Sequence, residues 1–193
     1  MIYLIRENSL INKNLTGEFK MTIKTERLLL RPLCLKDLES VHEYTSDIEN
    51  TKYMVYLPNI TEQETQNFLS SVEQEWKQKQ PKFYEFAIVL DGLQIGHISI
   101  YLTNIANEGR IGWILNKKFW NYGYASEAAT ALLSFAKTKL HLQRVIAHCD
   151  SRNVASTKVM EKIGMVLVDD QRIRKYKKRE ETARELTYLI ELD

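Results

Sequence analysis

Short apolar runs along the chain predict strands, and apolar residues at helical spacing predict helices. The strand runs are 28–31, 84–90, 93–102, 111–115, 143–149, 165–169 and 185–192. The helical segments are 35–46, 125–140, 153–163 and a fourth segment, which starts at the capping box of residues 61–64 and reaches residue 76. Asp91-Gly92, between two strand runs, predicts a hairpin turn.

The order of these elements predicts an α/β fold. It runs strand, two helices, three strands, helix, strand, helix and two strands, with no linker that would divide the chain. The strands at 111–115 and 143–149 are joined through a helix. Because a connection of this kind crosses over the sheet, we expect this central pair of strands to be parallel.

The segment between the strand at 111–115 and the helix at 125–140 is the most distinctive part of the sequence. It is polar and aromatic, and it has little side-chain bulk near Gly123 and Ala125. A compact turn from a strand into a helix places backbone N–H groups at the positive end of the helix dipole. This arrangement is a generic site for phosphate oxygens, although many such turns bind nothing.

The residues of this turn make the prediction more specific. Trp120-Asn-Tyr-Gly-Tyr-Ala-Ser-Glu-Ala128 resembles the coenzyme A pyrophosphate loop of the GNAT N-acetyltransferases. With the Ile-Gly-Trp strand before it, the segment is similar to the Rim-type (RimJ/RimL) branch, the ribosomal-protein N-terminal acetyltransferases. That branch usually has Gly where this chain has Asn121, and Asn tolerates left-handed backbone angles better than most residues.

Two further segments carry the same resemblance. Thr25-Glu-Arg-Leu-Leu-Leu-Arg-Pro-Leu33 resembles the opening strand of the Rim-type enzymes. Asp150-Ser-Arg-Asn-Val-Ala-Ser-Thr-Lys-Val-Met-Glu-Lys-Ile-Gly164 resembles the family's Asn-x-x-Ser segment, with Met165 in place of a Phe. The resemblance covers residues 21–192, so we expect an N-terminal extension at 1–20 and a single acetyltransferase domain at 21–193.

The resemblance implies the GNAT fold, a mixed, mostly antiparallel sheet of six or seven strands with a splayed parallel pair at its centre and about four helices around it. It also implies acetyl-CoA as the cofactor, with the pantetheine arm lying in the split like an added strand. The implied cofactor contacts come from the central strand, the turn and the following short helix: Ile114, Leu115, Asn116, Asn121, Tyr122, Gly123, Tyr124, Ala125, Ser126, Asn153 and Ser156.

The implied activity is direct transfer of an acetyl group from acetyl-CoA to an amine in a ternary complex, without a metal or a protein nucleophile. Ser156 is the expected acid that protonates the thiolate, although a serine is equally at home structurally in the first turn of a helix. The expected base is Glu108, one strand repeat before Arg110, which stands where the branch usually has Glu. Glu85, His97 and a water molecule are the alternatives.

Two basic features allow both a functional and a structural interpretation. Arg110 could bind an acidic acceptor, but pairing with Glu108 or a place on the surface is the simpler interpretation. The run Arg172–Arg179 could contact ribosomal RNA or an acidic protein, but a solvated hairpin tip is simpler. Tyr176, within this run, lies where some GNAT enzymes place a catalytic tyrosine.

The sequence leaves the acceptor open. A protein N-terminal amine, for example that of a ribosomal protein, and a small-molecule amine both fit, and a homodimer is possible by resemblance. The alternative function is a non-catalytic acyl-CoA-binding or regulatory domain with the same fold. A dinucleotide-dependent oxidoreductase is excluded because the chain has no G-x-G-x-x-G segment.

Composition adds only broad bounds. The chain has 193 residues, 44% of them hydrophobic, which is enough for a single core, and a net charge of +2 that indicates no specific nucleic-acid partner. Cys34 and Cys149 lie far apart, which favours a reducing cytoplasm over a disulfide or zinc framework. No apolar run approaches the roughly 20 residues of a membrane span, and the first residues lack the pattern of a signal peptide.

Overall fold

A computed structural model describes residues 21–192 of the chain. Its strands are β1 (Ile23–Lys24), β2 (Leu28–Pro32), β3 (Phe83–Leu90), β4 (Leu93–Leu102), β5 (Glu108–Leu115), β6 (Arg144–Asp150), β7 (Val166–Lys175) and β8 (Thr182–Glu191). Its α-helices are α1 (Leu38–Ser46), α2 (Glu62–Trp76), α3 (Tyr124–Leu140) and α4 (Val154–Lys162). The predicted extension at 1–20 lies outside the described residues.

A single mixed sheet organises residues 21–192. Its eight strands follow the order β1-β2-β3-β4-β5-β6-β8-β7. All neighbours are antiparallel except β5 and β6, which are parallel. The predicted central parallel pair in a mostly antiparallel sheet is therefore confirmed. The predicted count of six or seven strands missed β1, because a strand of two residues is too short to leave an apolar pattern.

Helices cover both faces of this sheet. On β4, the ring of His97 contacts Tyr44 of α1 and Phe68 of α2. The next residue, Ile98, pairs with Phe86 of β3, and the ring of Phe86 packs against Phe135 of α3. Neighbouring residues of a strand point to opposite faces, so α1 and α2 lie on one face and α3 lies on the other. The short helix α4 packs against α3 and β6.

The sheet splits at its centre, between β5 and β6. The pairing of these two strands ends at Arg110 and Ile146. Beyond that pair, β5 continues to Leu115 on its other neighbour β4, and β6 continues to Asp150 on its other neighbour β8. Each strand is thus held from its outer side, and a cleft opens between the two inner sides.

The direction of the backbone groups along β5 determines what this cleft offers. The N–H group of Asn116 donates to the carbonyl oxygen of Ile95 at 2.9 Å, so residue 116 bonds toward β4. Backbone groups alternate in direction along a strand, so those of Trp113 and Leu115 point into the split. The carbonyl oxygen of Leu115 already accepts hydrogen bonds from the side chains of Asn50 and Trp120, both at 3.0 Å.

Candidate active site

The split between β5 and β6 forms a cavity of about 390 Å³. Its lining comes from the loop after α1 (53–56), β5 (110–113), β6 (His148 and Cys149), the start of α4 (Asn153, Ser156 and Met160) and the C-terminal hairpin (Arg172, Arg174 and Glu185). The cavity therefore joins the inner edge of β5 to side chains that lie far apart in the sequence.

Two left-handed residues shape the turn from β5 into α3. Asn121 has a φ of 66° and Gly123 a φ of 82°, so the asparagine adopts the angle that its position demands. The helix α3 then begins at Tyr124, with Gly123 as its N-cap. Within residues 21–192, the backbone N–H groups of 121–126 have no acceptor in the protein. Donors of this kind at the positive end of a helix suit a phosphate group.

Basic side chains fasten and flank this turn. Arg27 donates through Nη1 to the carbonyl oxygen of Tyr122 at 3.0 Å, and it pairs with Glu127 at 2.7 Å. The amine of Lys162 lies 3.8 Å from the point where a Cβ atom on Gly123 would stand. The turn is therefore anchored on one side and positively charged beside Gly123.

The start of α4 brings Asn153 and Ser156 to the cleft. The Oδ1 atom of Asn153 accepts a hydrogen bond from the N–H group of Ser156 at 3.2 Å and so caps the helix. Both residues also line the cavity. The hydroxyl of Ser156 has no hydrogen-bond partner within residues 21–192, so it is available to a bound molecule.

A buried carboxylate holds this helix start in place. Asp150, fully buried at the end of β6, accepts hydrogen bonds from Arg152 at 2.7 Å and from the hydroxyl of Tyr176. Burial favours a higher pKa for Asp150, but the hydrogen bonds from Arg152 and Tyr176 outweigh it and lower the pKa to about 2. Burial and the bond to Asp150 raise the pKa of Tyr176, whose hydroxyl is thus committed to a structural bond.

His148 on β6 is a titratable residue of the cleft that the sequence analysis missed. Its Nδ1 atom forms a hydrogen bond with the hydroxyl of Thr187 at 3.0 Å, and a carboxylate oxygen of Glu185 lies 4.0 Å from that nitrogen. Burial lowers the pKa of His148; Glu185 opposes this, and Arg110, Arg172 and Arg174 add to it. The ring is therefore neutral at pH 7 and can accept a proton. In the sequence, His148 stands between the apolar residues Ala147 and Cys149, so it lies on the opposite face of the strand from them. This alternation is the signal that could have identified it.

Glu108 lies outside the cleft, at the paired end of β5 and β6. Its carboxylate pairs with Nε of Arg144 at 2.8 Å and accepts a hydrogen bond from the hydroxyl of Thr103 at 2.8 Å. This ion pair joins the two parallel strands where they are still in contact. The geometry gives Glu108 a structural role and does not support its expected role as the base. Of the two simpler interpretations of Arg110, pairing with Glu108 is wrong, but a place on the surface agrees with the structure, where Arg110 is exposed. Its guanidinium lies over the ring of Tyr101, 5.5 Å from the centroid.

The alternative bases are also remote from the cleft. Burial raises the pKa of Glu85 to about 7, and the carboxylate accepts a hydrogen bond from Tyr101 at 2.7 Å. Burial lowers the pKa of His97 to about 4, and its ring hydrogen-bonds with Tyr44 at 2.9 Å. Neither residue lines the cavity. Cys149 does line it, but burial raises the pKa of its thiol to about 11, so the thiol stays protonated at neutral pH.

Comparison with known proteins decides the family. The family described as acetyltransferase (GNAT) domain matches residues 27–166 of this chain. This chain belongs to the GNAT acetyltransferase family. It is 38% identical over 149 residues to YnaD, an uncharacterised N-acetyltransferase of Bacillus subtilis (strain 168). The matched region covers 75% of this chain and 82% of YnaD.

Solved structures agree with the fold. A GNAT-family acetyltransferase from Bacillus anthracis is 38% identical and has a TM-score of 0.75, over 89% of this chain and 98% of that one. RimL, a ribosomal-protein alpha-N-acetyltransferase solved in complex with coenzyme A, has a TM-score of 0.79 at 17% identity, over 90% of this chain and 99% of that one. The second likeness shows the fold alone. The predicted GNAT fold and acyltransferase class are confirmed.

In this GNAT acetyltransferase, the basic run Arg172–Arg179 builds a wall of the cleft. Arg174 donates to the carbonyl oxygen of Tyr53 at 3.2 Å, and the backbone N–H group of Lys177 donates to that of Val55 at 2.9 Å. Lys178 adds an ion pair to Glu64 at 2.6 Å. The run therefore fastens the loop at 53–56 over the cleft. Only Arg174 and Tyr176 of the run are buried, and its other residues are exposed at or near the hairpin tip, in agreement with the expected solvated tip.

No group of three or more His, Cys, Asp or Glu side chains within residues 21–192 is placed to hold a metal ion. No helix in the same part is long and apolar enough to cross a membrane.

We predict that Asp150→Asn lowers the free energy of unfolding by about 2 kcal/mol at pH 7, because it removes the charge that holds Arg152 and Tyr176. The carboxylate has a folded-state pKa of about 2, below its ordinary 3.8, so its contribution is full above the ordinary pKa. The contribution is lost as the pH falls through the folded-state pKa. Urea unfolding at pH 7, 5 and 3 should therefore show a deficit that shrinks in acid.

The matched control is Asp170→Asn, which removes an exposed carboxylate paired with Arg184 at 3.4 Å. An exposed pair contributes less than about 1 kcal/mol, so this variant should stay close to the parent. Equal effects of the two substitutions, or a deficit for Asp150→Asn that is as large at pH 3 as at pH 7, would contradict the account.

Proposed function

We propose that this chain transfers an acetyl group from acetyl-CoA directly to the amine of an acceptor, with the split between β5 and β6 as the active site. The observation that supports the proposal is a continuous row of backbone N–H donors along the split and the turn that follows it. The inward-facing backbone of Trp113 and Leu115 leads toward the unpaired N–H groups of 121–126 at the start of α3. A ligand with an extended amide-bearing arm and a pyrophosphate fits both features at once.

The pantetheine arm would lie along the inner edge of β5, where the N–H groups of Trp113 and Leu115 are positioned to bind carbonyl oxygens. The pyrophosphate would bind at Asn121, Tyr122, Gly123, Tyr124, Ala125 and Ser126. Ile114 bonds toward β4 and Asn116 donates to Ile95, so contacts from these two residues remain predictions from resemblance. Asn153 lines the opposite wall, where its amide can reach the arm.

The chemistry needs a neutral amine, a stabilised oxyanion and a protonated leaving group. The amine nitrogen attacks the thioester carbon and gives up a proton to His148. The N–H groups of β5 stabilise the oxyanion, and the carbon–sulfur bond then breaks. Ser156 protonates the departing thiolate and recovers its own proton from water. No protein nucleophile takes part in this sequence.

His148 replaces Glu108 as the base in this proposal. It lines the cavity, is neutral at pH 7, and is held by Thr187. Glu108 lies at the closed end of the strand pair and is bound to Arg144. A base must be within reach of the proton that it removes, so geometry favours the histidine.

The acceptor is either a protein N-terminal amine or a small-molecule amine. In both cases the amine must be neutral when it attacks the thioester. The α-amine of a peptide has a pKa of about 8, so a substantial fraction is neutral at pH 7 to 8 without help. The RimL likeness supports a protein N-terminus, such as that of a ribosomal protein, only at the level of fold. Release of coenzyme A with a panel of amines and peptides separates this enzyme from a non-catalytic acyl-CoA-binding domain.

The setting and assembly are further parts of the proposal. Free Cys34 and Cys149 suit the reducing cytoplasm, where acetyl-CoA would be the substrate. The edge strand β7 exposes Val166, Val168 and Ile173, which supports a homodimer through this edge.

We predict that Ser156→Ala lowers kcat about 100-fold, because the thiolate would leave without a proton from the protein. The affinity for acetyl-CoA should stay within about twofold, since the hydroxyl acts late in the reaction. Initial rates of thiol release and calorimetric titration measure the two quantities. The control Thr157→Ala removes the neighbouring hydroxyl, which bonds Val154 within the helix. An unaltered kcat in Ser156→Ala would remove the assigned role.

We predict that His148→Gln lowers kcat/KM about 100-fold and removes from its pH profile the fall in activity that protonation of His148 causes. The pKa of His148 is lowered, so this fall should begin in the parent enzyme only below the ordinary histidine value of 6.5. The limb set by the acceptor amine, near pH 8 for a peptide, should remain in both proteins.

The control for this variant is His141→Asn, an exposed histidine at the end of α3 with a φ of 54°, an angle that asparagine also adopts. Its pH profile should match that of the parent. Persistence in His148→Gln of the additional fall in activity below the ordinary histidine value of 6.5 would show that another group is the base.

A further inference from the structure

The charged side chains that line the cleft are unequal in sign. Among residues 21–192, Arg110, Arg172 and Arg174 face one carboxylate in this lining, that of Glu185. His148 lies among them and is neutral at pH 7. The lining therefore carries a net positive charge where an acceptor must enter.

The one carboxylate of the lining is already committed. Glu185 pairs with Nη1 of Arg174 at 2.7 Å, and both side chains are largely buried. Arg174 also donates through Nη2 to the carbonyl oxygen of Tyr53. Because this pair is internally balanced and fixed, Glu185 is a poor partner for the second amine of a polyamine.

Arg110, unlike Glu185, is available to a ligand. Within residues 21–192 it has no carboxylate partner, since Glu108 pairs with Arg144 instead. Its guanidinium lies over the ring of Tyr101, and the hydroxyl of that tyrosine is held by Glu85 at 2.7 Å. The face of the guanidinium is thus supported while its N–H edge is free, which is the geometry that binds a planar anion with two parallel hydrogen bonds.

Arg110 is also close to the reacting centre along the sheet. It pairs with Ile146 on β6, and His148 is two residues further on the same face. Two strand residues span about 6.6 Å, so a short acceptor can reach both side chains. Arg172, which pairs with Asp169 through Nε at 3.1 Å, adds a second, largely exposed cation at the mouth.

We propose that the acceptor of this enzyme is an amine that carries an anionic group close to the nitrogen, and that Arg110 binds this group while the amine faces His148. The inference rests on the proposed acetyl transfer and narrows its substrate class. An α-amino acid supplies such an anion through its own carboxylate, and a peptide N-terminus supplies it through an acidic side chain. Polycationic amines are disfavoured by the same charges.

The test compares matched acceptors by coenzyme A release, with kcat and KM measured separately. In the small-molecule arm, serine is compared with ethanolamine, which lacks the carboxylate, and with spermidine. In the peptide arm, two tetrapeptides begin with serine, share the same fourth residue, and carry either aspartate and glutamate or two lysines at positions two and three. The anionic member of at least one pair should be favoured about tenfold in kcat/KM, the scale of a charge-assisted hydrogen bond. The favoured pair distinguishes the two sources of the anion.

Substitutions then assign the preference to Arg110. Arg110→Gln should remove it mainly through a higher KM for the anionic acceptor, and Arg110→Glu should reverse it. The control Arg184→Gln makes the same change of charge on β8, at an exposed residue that pairs with Asp170. This control should keep the preference of the parent, and thermal unfolding of each variant checks that the fold is retained.

Three results would overturn the inference. Equal use of all acceptors by the parent enzyme, or a preference for cationic ones, would refute the substrate class and leave acetyl transfer intact. A preference that survives in Arg110→Gln would remove the role of this residue. Absence of coenzyme A release with every acceptor would contradict the proposed transfer itself, and the inference with it.

Discussion

The parting of β5 and β6 is the constraint on which the rest of the site depends. Two parallel strands that stay paired use up their backbone groups, but here pairing stops at Arg110 and Ile146 while both strands continue. Their outer neighbours, β4 and β8, keep them extended, so the inner edges stay straight and open. A split of this kind gives a protein an unfinished sheet edge in its interior, and an extended ligand can complete it. The turn at Asn121 and Gly123 then places helix α3 with its free N–H groups at the end of the same edge.

The ion pairs around the split decide which side chains remain available for chemistry. Glu108 is bound to Arg144 where the strands meet, and Asp150 is bound to Arg152 where α4 begins. These pairs stabilise the two ends of the cleft but take both carboxylates out of acid–base work. His148 is left as a neutral ring in the cleft, and Arg110 has no partner of opposite charge among residues 21–192. The side chains that remain for catalysis and acceptor binding are those that the structural ion pairs do not use.

The architecture was accessible from the sequence because it rests on local patterns. Apolar periodicity located every strand except the two-residue β1. The strand–helix–strand order alone required β5 and β6 to be parallel. The placement of the site was less accessible. Glu108 and Arg110 have the same strand parity, but Glu108 lies within the paired part of β5 and β6 and Arg110 lies at its last pair. The sequence does not show where this pairing stops. The partners of the basic run, the carbonyl groups of Tyr53 and Val55, lie about 120 residues away in the chain, so the sequence does not reveal these contacts. The alternation of His148 with Ala147 and Cys149 shows which face of the strand it lies on, but it does not show that this face lines a cleft.

The most direct measurement is amide hydrogen exchange of the protein, resolved by residue, with and without acetyl-CoA. If the arm completes the edge of β5, the N–H groups of Trp113 and Leu115 should become protected together with those of 121–126. The N–H groups of Gly112 and Ile114, which already bond toward β4, should change little and serve as internal references. Binding of acetyl-CoA without protection at Trp113 and Leu115, or protection confined to another surface, would contradict the claim that the split sheet is the cofactor site.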